Sequence, residues 1–163
     1  MEKLKVKNVI IGKQFEFCEN YKKIVNIANE KNIKIYELKA GQKISIEKDI
    51  VFDILWPDSN NVITENSINN NSLVCKLKYK DFSMLFTGDI EEIAEKQILQ
   101  KYKSNLKVLN STILKVAHHG SKSSSIEEFL KVVNPKIALI GVGANNTFGH
   151  PNSGVLDRLK EKR

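Results

Sequence analysis

Residues 114–124, LKVAHHGSKSS, join an apolar strand pattern to a polar motif, and this junction shows how the sequence is organised. The strand predicted over residues 113–117 runs into His118 and His119, and a helix is predicted over residues 125–133. Units with a strand, a polar motif and a helix occur three times, at residues 82–102, 113–133 and 137–161. Loops at the carboxyl ends of strands converge in mixed α/β folds and bind ligands there. The sequence therefore predicts an α/β fold whose site is formed by three polar loops.

The remaining segments predict further strands and one more helix. These are a strand at residues 6–11, a helix at 21–29, a strand at 33–38 and hairpins at 44–56 and 73–86. Residues 58–71, rich in Asn and Ser, predict a long loop and a candidate rim of a site. A capping box of Ser125 with Glu128, and Pro151 in a first turn, predict the starts of the last two helices. No repeat or linker divides the chain, so one domain is expected over residues 1–163.

Composition and charge narrow the class of protein. The chain has 163 residues, of which 41% are hydrophobic, and this excludes disordered and collagen-like proteins. Its net charge of +7 suggests an anionic partner such as nucleic acid, a phosphorylated small molecule or acidic lipid. The sequence has no apolar run of about 18 residues and no signal-peptide pattern, so the chain is expected to be soluble. Cys18 and Cys75 lie outside any CxxC pattern, and both are expected to be buried free thiols.

Asp89 and the pair His118-His119 are the main candidates for chemistry. Asp89 follows a glycine at a strand end, where its carboxylate is placed to ligate a metal ion, although with Glu92 it also matches a helix capping box. His118 and His119 are two of the three histidines in the sequence. Because neighbouring side chains on an extended segment point to opposite sides, one ring is expected to face a metal ion or substrate. The other ring then takes a supporting or substrate-contact role.

Three further polar residues are weaker candidates. Ser121 either donates a hydrogen bond to a bound anion or caps a helix. His150 acts either as a catalytic acid or as a hydrogen-bonding residue that stabilises the third loop. Asn146, in the same loop, either contacts substrate or is an ordinary turn residue.

The polar motifs and two earlier segments, in this order, resemble a known family. The segments are ILWP (54–57), NNNSLVCKL (69–77), MLFTGD (84–89), LKVAHHGSKSS (114–124) and IALIGVGANNTFGHP (137–151). They resemble the C-terminal part of the metallo-β-lactamase-fold domain of ComEC-type DNA-uptake competence proteins. The resemblance implies an αββα sandwich with a metal site between its sheets, in a bacterial protein whose membrane channel attaches the domain to the cell membrane. It also implies a nuclease-like phosphodiester hydrolase that degrades the DNA strand excluded from the cell.

The resemblance implies roles for the candidate residues as well. Asp89 matches the aspartate that bridges two metal ions, for which Zn or Mn is expected, and His118 or His119 matches a further ligand. We assign His118 to the metal, and His119 with His150 to catalysis near the scissile phosphate. Substrate contacts are assigned to Ser121 and Asn146.

One part of the family pattern is missing from this sequence. Family members carry an HxHxDH motif after an N-terminal strand, whereas no histidine here precedes His118, so the motif is expected just upstream of Met1. The chain then corresponds to roughly the C-terminal two-thirds of the domain, an N-terminally truncated sandwich. Residues 69–71 are asparagines where many relatives have a histidine, and are expected to contribute only hydrogen bonds. The isolated chain is therefore expected to bind metal weakly or not at all, and to hydrolyse DNA poorly.

Two other functions remain open. One is a catalytically inert module of the same fold that binds nucleic acid or a protein partner through its basic surface. The other is a small-molecule phosphoesterase, since related domains cleave phosphate esters. A truncated sheet also exposes strand edges, so the chain is expected to form a homodimer.

Overall fold

Two β-sheets and the helices packed on them form the structure, a computed structural model that describes residues 4–13, 18–60 and 62–161. The strands of the described part are β1 (Asn8–Gly12), β2 (Lys34–Leu38), β3 (Lys43–Glu47), β4 (Ile50–Trp56), β5 (Val74–Tyr79), β6 (Phe82–Phe86), β7 (Ile113–Lys115) and β8 (Ile137–Leu139). The α-helices are α1 (Glu19–Glu30), α2 (Ser67–Asn70), α3 (Glu92–Lys101), α4 (Glu127–Val133) and α5 (Ser153–Lys160). Short 3-10 turns lie at Leu106–Val108 and Ala117–Gly120. The predicted order of strands and helices is confirmed, and α2 is an additional short helix inside the predicted long loop.

The smaller sheet is a parallel pair. β1 and β2 align from Asn8 with Lys34 to Gly12 with Leu38, and α1 provides the connection between them. A parallel pair needs such a crossover, because the chain must return to the same end of the sheet. The predicted strand, helix and strand at the start of the sequence therefore form a single βαβ unit.

The larger sheet contains six strands in sequence order, β3-β4-β5-β6-β7-β8. Neighbouring strands from β3 to β6 pair antiparallel, whereas β6, β7 and β8 run parallel, with α3 and α4 as crossovers. The last residues of the parallel strands are in register, Phe86 with Lys115 and Lys115 with Leu139. The three polar motifs consequently begin side by side at one edge of the sheet, as predicted.

The hydrophobic core lies between the larger sheet and helices α3, α4 and α5. Trp56 and Leu85 from the sheet are fully buried with Ile98 of α3, Leu130 of α4 and Val155 of α5. Burial of side chains of this size contributes about 1.5–3 kcal/mol each. This packing holds α3, α4 and α5 against the sheet. Each polar loop is therefore held at one end by its strand and at the other end by its helix.

Several local predictions about helix starts were wrong. The capping residue of α4 is Ile126 rather than Ser125, whose N–H donates instead to Glu95 on α3. Pro151 was predicted in the first turn of the last helix but lies before its cap, because Asn152 caps α5 and its side chain accepts a hydrogen bond from the Gly154 N–H. At Ser125 a contact with another helix thus replaces the local capping box.

The cysteine prediction was right about pairing and partly wrong about burial. Both thiols are free, but Cys18 is exposed and Cys75 is half-buried. Burial raises the pKa of the Cys75 thiol to about 11. Cys18 is the capping residue at the start of α1, and its side chain is exposed.

The observed architecture is mixed α/β, as predicted for the fold class. The expected single domain over residues 1–163 includes residues 1–3, 14–17, 61, 162 and 163, which lie outside the described residues. None of the described helices combines the length and the apolar character needed to cross a bilayer.

Candidate functional site

The turn after β6 places Asp89 at the carboxyl edge of the larger sheet. Gly88 has φ +56°, and a Cβ at this position would lie 2.6 Å from Ser72 Cβ, so only glycine fits here without displacement of the backbone. The Asp89 N–H donates to Ser72 Oγ at 3.2 Å, and the Gly88 carbonyl accepts from the His118 N–H at 3.1 Å. These contacts hold the aspartate turn against the histidine loop.

His118 and His119 both adopt the left-handed region, with φ of 46° and 54°. Non-glycine residues in this region cost about 1–3 kcal/mol each and persist only where surrounding contacts enforce them. The pair lies in a tight turn with a left-handed backbone, not in the extended segment that we predicted. The two rings nevertheless reach different partners, His119 toward Asp89 and His118 toward Glu91.

Asp89 and His119 form the closest convergence of candidate ligands. His119 Nε2 lies 3.6 Å from Asp89 Oδ1, and the Nδ1–H donates to the Gly141 carbonyl at 2.5 Å. Two ligand atoms on one tetrahedral ion at 2.0–2.2 Å are about 3.4 Å apart, so this pair fits a shared ion. A backbone carbonyl that fixes the far nitrogen is the usual partner of a metal-binding histidine. The prediction that Asp89 lies close to a histidine of the pair is confirmed.

Lys115 supplies a positive charge at the same aspartate. Its Nζ lies 3.7 Å from Asp89 Oδ1 and donates to the Gly88 carbonyl at 2.9 Å. In the described residues no group of three or more His, Cys, Asp or Glu side chains is arranged to hold a metal ion. The donor chemistry of Asp89 and His119 therefore fits part of a Zn or Mn site, and Lys115 partly balances the carboxylate.

Glu91 is a second carboxylate of the site, and the sequence prediction missed it. Its Oε1 accepts from Ser123 Oγ at 2.8 Å and lies 3.4 Å from His118 Nδ1. Its Oε2 accepts from Asn66 Nδ2 at 2.8 Å and Asn70 Nδ2 at 3.3 Å. Burial raises the pKa of the Glu91 carboxyl, but these hydrogen bonds and the His118 charge outweigh it, so the pKa lies below its ordinary value. The asparagine-rich segment thus supports the site through Asn66 and Asn70, and of residues 69–71 it is Asn70 that hydrogen-bonds to Glu91.

The third loop brings His150 close to the histidine pair. The His150 ring lies edge-on to His118, with 5.8 Å between centroids, and stacks with Phe148 at 5.9 Å. Phe148 itself is 80% exposed. Asn146 donates to the carbonyls of Gly143 and His150 and accepts from the His150 N–H, so its side chain holds the loop. The turn role that we considered for Asn146 is thus the one its contacts show.

The serines after the histidine pair are mostly used within the loop. Ser121 is buried, and its Oγ lies 3.1 Å from Ser123 Oγ. Ser124 Oγ donates to the Ala117 and Ser121 carbonyls. A Cβ at Gly120, φ +79°, would lie 2.8 Å from Pro151 Cβ, which ties this loop closely to the third one.

Two residues beyond the loops fix their geometry, and neither was predicted. Glu95 on α3 is fully buried and accepts the N–H groups of Ser125 and Ile126 at 2.7 and 2.8 Å. Arg158 on α5 donates to the carbonyls of Ser124 and Ser125. Arg158 was detectable in principle, because it is one of only two arginines in a chain that otherwise uses lysine.

Comparison with known proteins identifies relatives. No family model matches the chain. It is 35% identical over 156 residues to ComE operon protein 3 of Bacillus subtilis, covering 96% of this chain and 19% of that protein. It is 32% identical over 109 residues to competence protein ComA of Neisseria gonorrhoeae, covering 67% of this chain and 15% of that protein. A third relative is recombination protein 2 of Haemophilus influenzae, which is 37% identical over 108 residues, covering 66% of this chain and 13% of that protein.

The chain thus spans about a fifth or less of the length of each of these relatives. The names of the first two confirm the predicted resemblance to competence proteins. This chain is homologous to one segment of bacterial competence proteins, ComE operon protein 3 and ComA among them.

Proposed function

We propose that this chain is part of a metal-dependent phosphodiester hydrolase domain that acts on DNA during uptake in competence. The observation that carries the proposal is the Asp89–His119 pair, with 3.6 Å between Oδ1 and Nε2 and the far ring nitrogen fixed by Gly141. Homology to competence proteins supports the biological context. The six-stranded sheet and the βαβ unit are consistent with two layers of an αββα sandwich of the metallo-β-lactamase type.

Asp89 and His119 are the residues that would hold a Zn or Mn ion. Such an ion would supply Lewis-acid polarisation of a phosphoryl oxygen and activation of a water molecule. This geometry favours His119 over His118 as the ligand, the reverse of the assignment from sequence. A site with two ions needs more ligands than these, and we propose that they come from an HxHxDH motif outside these 163 residues. The isolated chain then binds metal weakly and hydrolyses DNA poorly.

The surroundings of the pair suit a phosphodiester substrate. Lys115 is partly exposed beside Asp89 and can contact a phosphate oxygen. Phe148 presents an exposed ring on the third loop, and exposed aromatic rings stack on nucleic-acid bases. The net charge of +7 favours approach of DNA. We propose that the complete protein attaches this domain to the bacterial membrane at its DNA channel.

Paramagnetic broadening by Mn²⁺ tests the metal site even where binding is weak. We expect Mn²⁺ to broaden the amide signals of Asp89 and His119 first, and Asp89→Asn to abolish this preference. Asp157→Asn, at an exposed carboxylate on α5, is the matched control and should leave the broadening unchanged. Equal broadening at all exposed carboxylates would refute the assignment.

A cleavage assay accompanies this test. The isolated chain with single-stranded DNA and Mn²⁺ or Zn²⁺ should give little product. Robust cleavage that disappears in Asp89→Ala would show that the residues present suffice for hydrolysis and that our ligand count is wrong.

The alternative function is an inert binding module of the same fold. One observation favours it, namely that the Lys115 ammonium already lies 3.7 Å from the Asp89 carboxylate and partly neutralises it. In that case Mn²⁺ would show no preference for Asp89, while single-stranded DNA would still bind. Lys115→Met weakens DNA binding under both functions but separates them by metal binding, because it should strengthen the Mn²⁺ preference at Asp89 in the hydrolase and leave Mn²⁺ without a preferred site in the inert module.

A further inference from the structure

His118 has one ring nitrogen that the fold leaves in an unusual position. Its Nδ1 is buried and makes no hydrogen bond within the described residues. Glu91 Oε1 lies 3.4 Å from it, slightly beyond ordinary hydrogen-bond distance. The left-handed backbone of His118, held by the Gly88 carbonyl, directs the ring to this place. A buried polar nitrogen beside a carboxylate indicates a specific role for the pair.

Glu91 can receive one more hydrogen bond, and it can receive it only on the side of His118. A carboxylate offers about four acceptor positions. Ser123 occupies one on Oε1, and Asn66 and Asn70 occupy both on Oε2. The Glu91 backbone is fixed as well, because its N–H donates to Asn70 Oδ1 at 2.9 Å. Glu91 is therefore poorly suited to ligate an ion and well suited to accept an N–H group from His118.

We propose that Glu91 is a positioning residue that holds His118 in the tautomer with the proton on Nδ1. The opposite tautomer would direct a nitrogen lone pair at a carboxylate oxygen in a buried place, and the two would repel each other. With the proton on Nδ1, Nε2 carries a lone pair that can accept a proton or contact substrate. The value of this lone pair for catalysis rests on the proposed hydrolase function, whereas the tautomer itself does not.

Nitrogen NMR of the histidine rings tests the tautomer directly in the metal-free chain. The sequence contains three histidines, so His→Gln variants at 118, 119 and 150 assign the ring signals one by one. The measurement is made at alkaline pH, above the ordinary histidine pKa of about 6.5, where a neutral ring shows which nitrogen is protonated. His119 provides an internal reference, because its Nδ1–H donates to Gly141.

We expect His118 to show the Nδ1–H pattern in the wild-type chain, with at least a tenfold preference. Glu91→Gln removes the charge at almost constant shape and should shift His118 to a mixture or to the Nε2–H pattern. Glu92→Gln is the matched control, since Glu92 is the next residue, is exposed and pairs with Lys96. It should leave the pattern unchanged.

Two results would overturn the proposal. One is an Nε2–H pattern for His118 in the wild-type chain, which does not depend on the folding of any variant. The other is a folded Glu91→Gln variant with an unchanged tautomer. Failure of the hydrolase function would appear separately, as loss of the Mn²⁺ preference at Asp89 with the His118 tautomer intact.

Discussion

Because of Glu95, the free energy of unfolding of this protein should fall as the pH rises from about 4.5 to about 7. The residue is fully buried on α3 and accepts the N–H groups of Ser125 and Ile126 at the start of α4. Burial raises the pKa of its carboxyl to about 7. The two N–H groups and the charge of Arg158 act in the opposite direction, and Glu92 adds a smaller upward effect. Burial is the dominant cause, because the carboxylate has no access to water.

The sign of the effect follows from proton linkage. Between an ordinary pKa of 4.5 and about 7, the folded chain retains a proton on Glu95 that the unfolded chain has lost. Stability therefore falls as the pH rises through this window, and becomes constant above about 7. At about 1.36 kcal/mol for each pH unit, the full difference corresponds to about 3 kcal/mol.

Denaturant unfolding of the wild-type chain and of Glu95→Gln measures this effect. The free energy of unfolding of each is determined at several pH values from about 4 to 8.5, and the variant is subtracted from the wild type. Subtraction cancels the titration of all other groups, so the difference should fall by about 3 kcal/mol with rising pH. Glu128→Gln, exposed on α4, should give a flat difference as the control. A flat or rising difference for Glu95 would refute the reasoning.

Three further predictions concern the glycine turn, the third loop and the sheet edge. Gly88→Ala should lower the free energy of unfolding by at least about 1–3 kcal/mol, because the φ of Gly88 is +56° and Ser72 occupies the space of a Cβ. Gly141→Ala, with open space around it, should change this free energy little. Equal effects of the two substitutions would contradict the prediction. Phe148→Ala should weaken binding of a single-stranded oligonucleotide in a fluorescence titration but leave binding of an abasic oligonucleotide unchanged, and equal loss on both would exclude stacking. The exposed edge strand β8 (Ile137–Leu139) should allow self-association, most simply as a two-fold dimer; light scattering that shows a monomer at all concentrations would exclude it.

The strand ends could be predicted from the sequence because their signals are local. Short apolar runs that end at Phe86, Ala117 and Ile140 mark three strands, and a polar motif after each marks a change of direction. Parallel strands joined by helices then bring their carboxyl ends together by geometry alone. The two hairpins could also be predicted from the sequence, since polar turns at Asp49 and Lys80 interrupt the alternation of apolar and polar residues.

The supporting residues could not be predicted, because their partners are distant in the chain. Glu91 and Glu95 look like solvent-facing residues at the start of a charged helix. Glu91 accepts hydrogen bonds from Asn66 and Asn70. These asparagines precede the β5–β6 hairpin in the chain, whereas Glu91 follows it. Glu95 meets a backbone segment 30 residues away. A local pattern assigns such residues to the surface, and only tertiary packing shows that they are buried.

The same kind of long-range contact fixes the geometry of the candidate site. Each polar loop is held by the backbone of another loop. The Gly88 carbonyl binds the N–H of His118, the Gly141 carbonyl binds the ring of His119, and Gly120 packs against Pro151. These backbone contacts set the positions of Asp89 and His119, so in the proposed hydrolase the further ligands would meet a pair that is already in place. Metal binding would then not have to offset the free-energy cost of ordering this part of the site.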